Sequence, residues 1–133
     1  YGLGVVLDSE TTYQCFGVSA DRVRRPDVSF IAKGRLPREQ FLQGHIQIAP
    51  DIAVEIVSPN DEYTNVDGKI EEYIQAGVRL VWVVNPDYET VTVWRPDWSN
   101  QRLHKADVLT GETVLPEFSL PVAELFPNPD DIL

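Results

Sequence analysis

Asp51-Ile-Ala-Val-Glu-Ile-Val-Ser58 is the stretch on which the fold turns. Side chains alternate along a strand, so Ile52, Val54 and Ile56 take one face. Asp51, Ala53, Glu55 and Val57 take the other. A strand apolar on both faces belongs in the middle of a sheet, covered on each side. Glu55 is the exception within it. A buried carboxylate is costly unless it is paired, hydrogen-bonded or bound to a metal. That cost makes Glu55 the leading functional candidate.

Outward from this strand, Ser58-Pro59 stops extended structure, and helical spacing follows. Val66, Ile70, Tyr73 and Ile74 recur at i, i+4, i+7 and i+8, with Gly77 placed as a C-terminal cap and Asn65 or Thr64 as the N-cap. Leu80 to Val84 reads as another buried strand. Asn85-Pro-Asp-Tyr turns it into Thr90 to Trp94, a hairpin. Upstream, Gly4 to Asp8 and Thr11 to Phe16 read as two strands around a polar turn. Pro26 to Ile31 reads as a third, with Asp27, Ser29 and Ile31 on one face. Gly34 to Gln43 is a loop with a helical turn. Leu103 to Leu115 suggests a hairpin bent at Thr110-Gly111, and Pro116 to Phe126 an ordered tail. The expected fold is α/β, a mixed sheet flanked by helices in one domain over residues 1–133.

Composition bounds the function. With 43% hydrophobic residues and no long apolar run, no transmembrane helix or signal peptide is visible in the sequence, and a cytoplasmic, membrane-free protein is expected. A single cysteine, Cys15, excludes an internal disulfide and fits a reducing compartment. Cys15, His45 and His104 do not make a zinc cluster or a nucleophile pair. The chain begins at Tyr1 and has no Met, so an N-terminal segment is expected to precede it. The formal charge of -10 opposes nucleic-acid binding, most of whose affinity comes from phosphate contacts. Yet Arg22, Arg24, Arg25, Lys33, Arg35 and Arg38 are six of the eleven basic residues, which allows a phosphate-facing edge or simply a solvated loop.

Three groups can be brought together: Asp27, Glu55 and Lys69. If the Asp27 and Glu55 strands pair, their backbones run about 4.8 Å apart and both carboxylates can share a cation. Mg²⁺ suits such a pair, because it takes one or two carboxylates plus water and phosphate oxygens. Lys69, on the margin of the helix's buried face, can reach back to the sheet. Asp51 lies four residues from Glu55, roughly 13 Å at strand rise, and does not join them. The residues alone leave two readings open for Glu55, a metal ligand or a structural partner of Lys69. For Asp27 they favour a plain strand-start residue. Lys69 pairing Glu72 at i+3 is as good an account as a site lysine. Tyr73 reads as packing, and Trp82 and Trp94 as sheet core or interface.

Pro26-Asp-Val-Ser-Phe-Ile, Ala-Pro-Asp-Ile-Ala-Val-Glu-Ile-Val-Ser-Pro-Asn-Asp, Lys69 with Tyr73 and Ala76-Gly-Val, and Val81-Trp-Val-Val-Asn-Pro together resemble the Uma-two family. These are restriction-endonuclease-like proteins of the PD-(D/E)XK nuclease superfamily. Leu115-Pro-Glu-Phe-Ser-Leu-Pro-Val-Ala-Glu-Leu-Phe is similar to that family's C-terminal segment. The resemblance implies a restriction-endonuclease-like fold with Asp27 as the Pro-Asp carboxylate and Glu55 at the (D/E) position. The lysine usually found two residues later is absent, since position 57 is Val. Lys69, on the following helix, is the implied replacement. A Mg²⁺-dependent (or Mn²⁺-dependent) DNA endonuclease follows, with Asp27 and Glu55 as metal ligands, DNA as partner and a homodimer as the expected assembly. The alternative is a non-catalytic interaction or regulatory module on the same fold.

Overall fold

The structure, a computed structural model, describes residues 3–15, 24–43, 45–59 and 61–132. Phe16 and Arg22 lie outside them. The central element is a six-stranded mixed sheet in the order β1-β2-β3-β4-β5-β6. It is built from Gly4–Leu7 (β1), Val28–Ala32 (β2), Ile52–Ile56 (β3), Leu80–Asn85 (β4), Thr90–Trp94 (β5) and Asn100–Leu103 (β6). β3 and β4 are parallel and every other neighbouring pair is antiparallel. Parallel neighbours need a crossover, and Tyr63–Gln75 (α2) provides it. The shorter α1 covers Arg38–Gln43, where a helical turn was expected.

β3 is the middle of the sheet, as its two apolar faces predict. Ala53, on the α2 side, packs into a core with Ile31, Ile70, Tyr73, Ile74, Val78 and Val81. Ile52, on the other side, packs with Phe30, Leu80, Trp82, Val91, Val93 and Leu109. No helix of the first core's length covers that second face among the described residues. A two-stranded antiparallel sheet does, formed by Val108–Gly111 (β7) and Leu115–Pro121 (β8) and continued by a 3-10 turn at Val122–Leu125. Trp82 stacks on Phe118 there at 5.4 Å between ring centroids. A last turn, Pro129–Ile132, is α3.

Four local expectations are corrected. Thr11–Cys15 is not a strand: Tyr13 makes single bridges to Arg24 and Ile46, because β2 takes β1's pairing edge. The hairpin bend falls at Glu112 to Val114, beyond Thr110-Gly111, and Glu112 carries a positive φ of 51°. The residues called a tail after Pro116 form β8 and the 3-10 turn. The N-cap of α2 is Glu62, not Asn65 or Thr64. The C-terminal end follows expectation, with Gly77 at φ 102°, a conformation that suits glycine because it has no Cβ.

Candidate active site

Asp27, Glu55 and Lys69 converge at one end of the β2–β3 pair, beneath α2. The register pairs Val28 with Val54 and Ser29 with Ala53, and one further step sets Asp27 beside Glu55. Asp27 is half-buried, and its Oδ2 accepts the backbone N–H of Ile56 at 2.7 Å. Glu55 is 6% exposed. Its Oε1 accepts a short hydrogen bond from the hydroxyl of Tyr73, and its Oε2 lies 3.8 Å from Nζ of Lys69. Lys69 and Tyr73 are one helical turn apart, so one face of α2 delivers both to the same carboxylate.

The electrostatics follow from burial. Removal from water pushes the Glu55 carboxyl up to about 7, and the neighbouring Asp27 charge adds to the rise. Tyr73 and Lys69 pull the other way. Tyr73 itself is raised, by its own burial first and then by the Glu55 charge. A second layer holds the helix. Arg24 grips Glu72 with two bonds, Nε to Oε2 at 2.6 Å and Nη2 to Oε1 at 2.9 Å. Glu72 is therefore engaged by Arg24, and it is Glu55 that Lys69 approaches.

The sequence assigned Tyr73 to packing. It is fully buried, but its hydroxyl serves Glu55. The i, i+4 spacing from Lys69 was the available signal. Arg24 was read only as charge, and nothing in the sequence indicated Glu72 as its partner. Asp51 stands apart, as expected, at the opposite end of β3. Buried to 2%, it accepts from the N–H of Ala32 at 2.7 Å and from Arg35 at 2.8 Å, with Arg79 at 3.7 Å. The basic run 22–38 is thus divided between the two ends of β2. Arg24 lies at the Glu55 end, and Lys33 and Arg35 lie at the Asp51 end. Among the described residues no group of three or more His, Cys, Asp or Glu is placed to hold a metal. His45 and His104 are exposed, and burial pushes the Cys15 thiol up to about 11, away from nucleophilic use.

The model of the Uma2 family, described as "Putative restriction endonuclease", matches residues 1–123. The chain belongs to the Uma2 family. No curated protein matches the sequence. Among solved structures, one from Anabaena variabilis ATCC 29413, described as a "putative nuclease belonging to DUF820", is similar to this Uma2 chain at 28% identity. The similarity spans 93% of this chain and 68% of that one, with a TM-score of 0.78. Both the family and the restriction-endonuclease-like mixed sheet expected from the sequence are thereby established for this Uma2 protein.

Proposed function

We propose that this Uma2 protein is a divalent-metal-dependent nuclease that hydrolyses DNA phosphodiester bonds, with Asp27, Glu55 and Lys69 as its catalytic residues. The observation that carries the reading is the meeting of two adjacent carboxylates with a lysine where β2, β3 and α2 come together. The family's description and the nuclease named among its structural neighbours support the same class of chemistry.

The donor set fits a cation. Burial makes the Glu55 charge costly, and the Tyr73 hydroxyl and the Lys69 ammonium at 3.8 Å offset only part of that cost. Asp27 and Glu55 would hold Mg²⁺ or Mn²⁺, hard ions that take carboxylate oxygens and leave positions for water and phosphate. When bound, such an ion polarises a phosphoryl oxygen and lowers the pKa of a coordinated water. The remaining work falls to the chain. Asp27 is fixed by the Ile56 N–H, so its carboxylate keeps one orientation. Glu55 is fixed by Tyr73. Lys69, with a third of its side chain exposed, is placed to donate to the phosphate or the attacking water and to offset charge gathering on the phosphoryl oxygens.

One observation favours a second reading, a non-catalytic interaction module. Glu55 is nearly sealed and already has Tyr73 and Lys69 as partners, as a structural ion pair would. Cleavage of plasmid and linear DNA by the full-length protein with Mg²⁺ or Mn²⁺, beside Glu55→Ala, separates the two. Metal-dependent cutting that falls at least about a hundredfold in the mutant is the expected result, in line with the loss of a group that stabilises transition-state charge. Cutting that persists in Glu55→Ala removes the site assignment, and its absence across metals and DNA forms favours the module.

A further inference from the structure

We propose that Tyr73 is a positioning residue that reserves Oε1 of Glu55, leaving that carboxylate a one-oxygen ligand and thereby setting a preference for Mg²⁺ and Mn²⁺ over Ca²⁺. The inference rests on the metal-site reading above. Its basis is how the oxygens are distributed. Oε1 of Glu55 is taken by the Tyr73 hydroxyl, whereas Oε2 faces Lys69 at 3.8 Å. Asp27 follows the same plan, with Oδ2 held by the Ile56 N–H at 2.7 Å. Each carboxylate thus has one oxygen committed to the protein.

Tyr73 is well placed to impose this. It is wholly buried in the core between α2 and the sheet. Its helix is tied down one residue earlier by the bidentate Arg24–Glu72 pair. Glu55 is also buried, so neither partner exchanges freely with water.

Ion chemistry supplies the consequence. Ca²⁺ takes six to eight oxygens and often uses a carboxylate through both of them. Mg²⁺ keeps a tight octahedron of single oxygens and several waters. An oxygen that already accepts a strong hydrogen bond is the poorer metal donor, so this carboxylate is biased toward one-oxygen ligation, which suits the second ion and handicaps the first. Groups that hydrogen-bond a metal ligand typically account for about 10- to 100-fold in affinity.

Calorimetric titration of the metal-free, full-length protein with Mg²⁺, Mn²⁺ and Ca²⁺, compared with Tyr73→Phe, tests this without any cleavage readout. The expected result is an affinity for Mg²⁺ and Mn²⁺ weakened about tenfold or more, with Ca²⁺ binding unchanged or tighter. Equal weakening for all three ions, or no change in a folded variant, overturns the proposal. If Tyr73→Phe does not fold, the infrared difference spectrum of the intact protein decides, with carbon-13 in the glutamate carboxyls and Glu55→Gln to assign the band. A wide separation of the two carboxylate stretches on adding Mg²⁺ marks one-oxygen binding and supports the proposal; a narrow one contradicts it. A wild-type isotherm that Glu55→Gln leaves unaltered ends both this inference and the metal-site reading. Selective binding without DNA cleavage ends the nuclease reading alone and leaves the role of Tyr73 standing.

Discussion

Glu55 is the residue on which stability and function pull against each other. Its carboxyl is raised to about 7 from an ordinary value of 4.5, chiefly by burial. Between those values the folded chain holds a proton that the unfolded chain has released, so stability falls as pH rises through that window. The whole effect is on the order of 3 kcal/mol for a shift of this size. Metal-free protein is therefore expected to melt at lower temperature at pH 8 than at pH 5.5, and Glu55→Gln is expected to flatten that slope; an unchanged slope in the mutant would refute the assignment. Metal binding should strengthen over the same rise in pH, because the cation replaces the proton. Strand alternation and helix spacing showed that Asp27, Glu55 and Lys69 could meet, but it was the family resemblance that singled them out, since the residues alone favoured a plain strand-start role for Asp27. Tyr73 was half legible: its face was clear from the spacing, but a buried tyrosine looks like packing until its hydroxyl has a partner. Arg24 and Glu72 are separated by 48 residues, and no local pattern connects them.

At the scale of elements, β3 does two jobs at its two ends. Glu55 faces α2 at one end, and Asp51 gathers the chain at the other, accepting from the N–H of Ala32 at the end of β2 and facing the two arginines that flank the sheet. The Asp51 carbonyl also accepts the N–H groups of Arg79 and Leu80, closing the entry to β4. Removing a buried carboxylate that two arginines face leaves their charges unmatched and the Ala32 N–H without its acceptor. Both arginines are nearly half exposed and can be rehydrated, so the main loss is the Ala32 contact, and Asp51→Ala is expected to cost about 1–3 kcal/mol by urea denaturation. Its divalent-ion affinity should match wild type, since Glu55 lies roughly 13 Å away along the strand. A lost metal site in folded Asp51→Ala would show the two ends to be coupled. The β7–β8 cover is a second element-scale case. Leu109 is 2% exposed against Trp82 and its neighbours, so Leu109→Ala should lower stability by about 2–5 kcal/mol. A cost under 1 kcal/mol would mean that β7–β8 is not part of the cooperative core. This cover was the least legible part of the chain. β7 is only four residues long, and β8 carries prolines at its second and last positions. Their pairing is decided by what they cover, which local pattern does not encode.

Across the whole molecule, charge and apolar surface are unevenly laid out. The net charge of -10 is not relieved by one basic edge, because the arginines at the two ends of β2 are engaged by Glu72 and Asp51. On the proposed reading, a divalent cation held by the carboxylate pair of the folded chain would lower this excess, so Mg²⁺ in the millimolar range should raise the melting temperature of wild type and not of Glu55→Gln. β1 is an edge strand of the sheet, with Leu3 39% and Val6 69% exposed beside Phe118 and Leu115 of the β7–β8 cover. Exposed apolar edges of this kind invite pairing. The expected homodimer should therefore dissociate in Val6→Lys, as read by sedimentation equilibrium, and a wild-type monomer would rule out self-association at that edge. No helix among the described residues is long and apolar enough to cross a membrane.

The central claim is that Asp27 and Glu55 form a cation-holding centre and not a structural ion pair with Lys69. Anomalous scattering from crystals of the full-length protein grown with Mn²⁺ tests it most directly. A peak in contact with both carboxylates, next to the Lys69 ammonium and lost in Glu55→Gln, is expected. Density only at other surface acids, with Lys69 still closed on an unliganded Glu55, would contradict it.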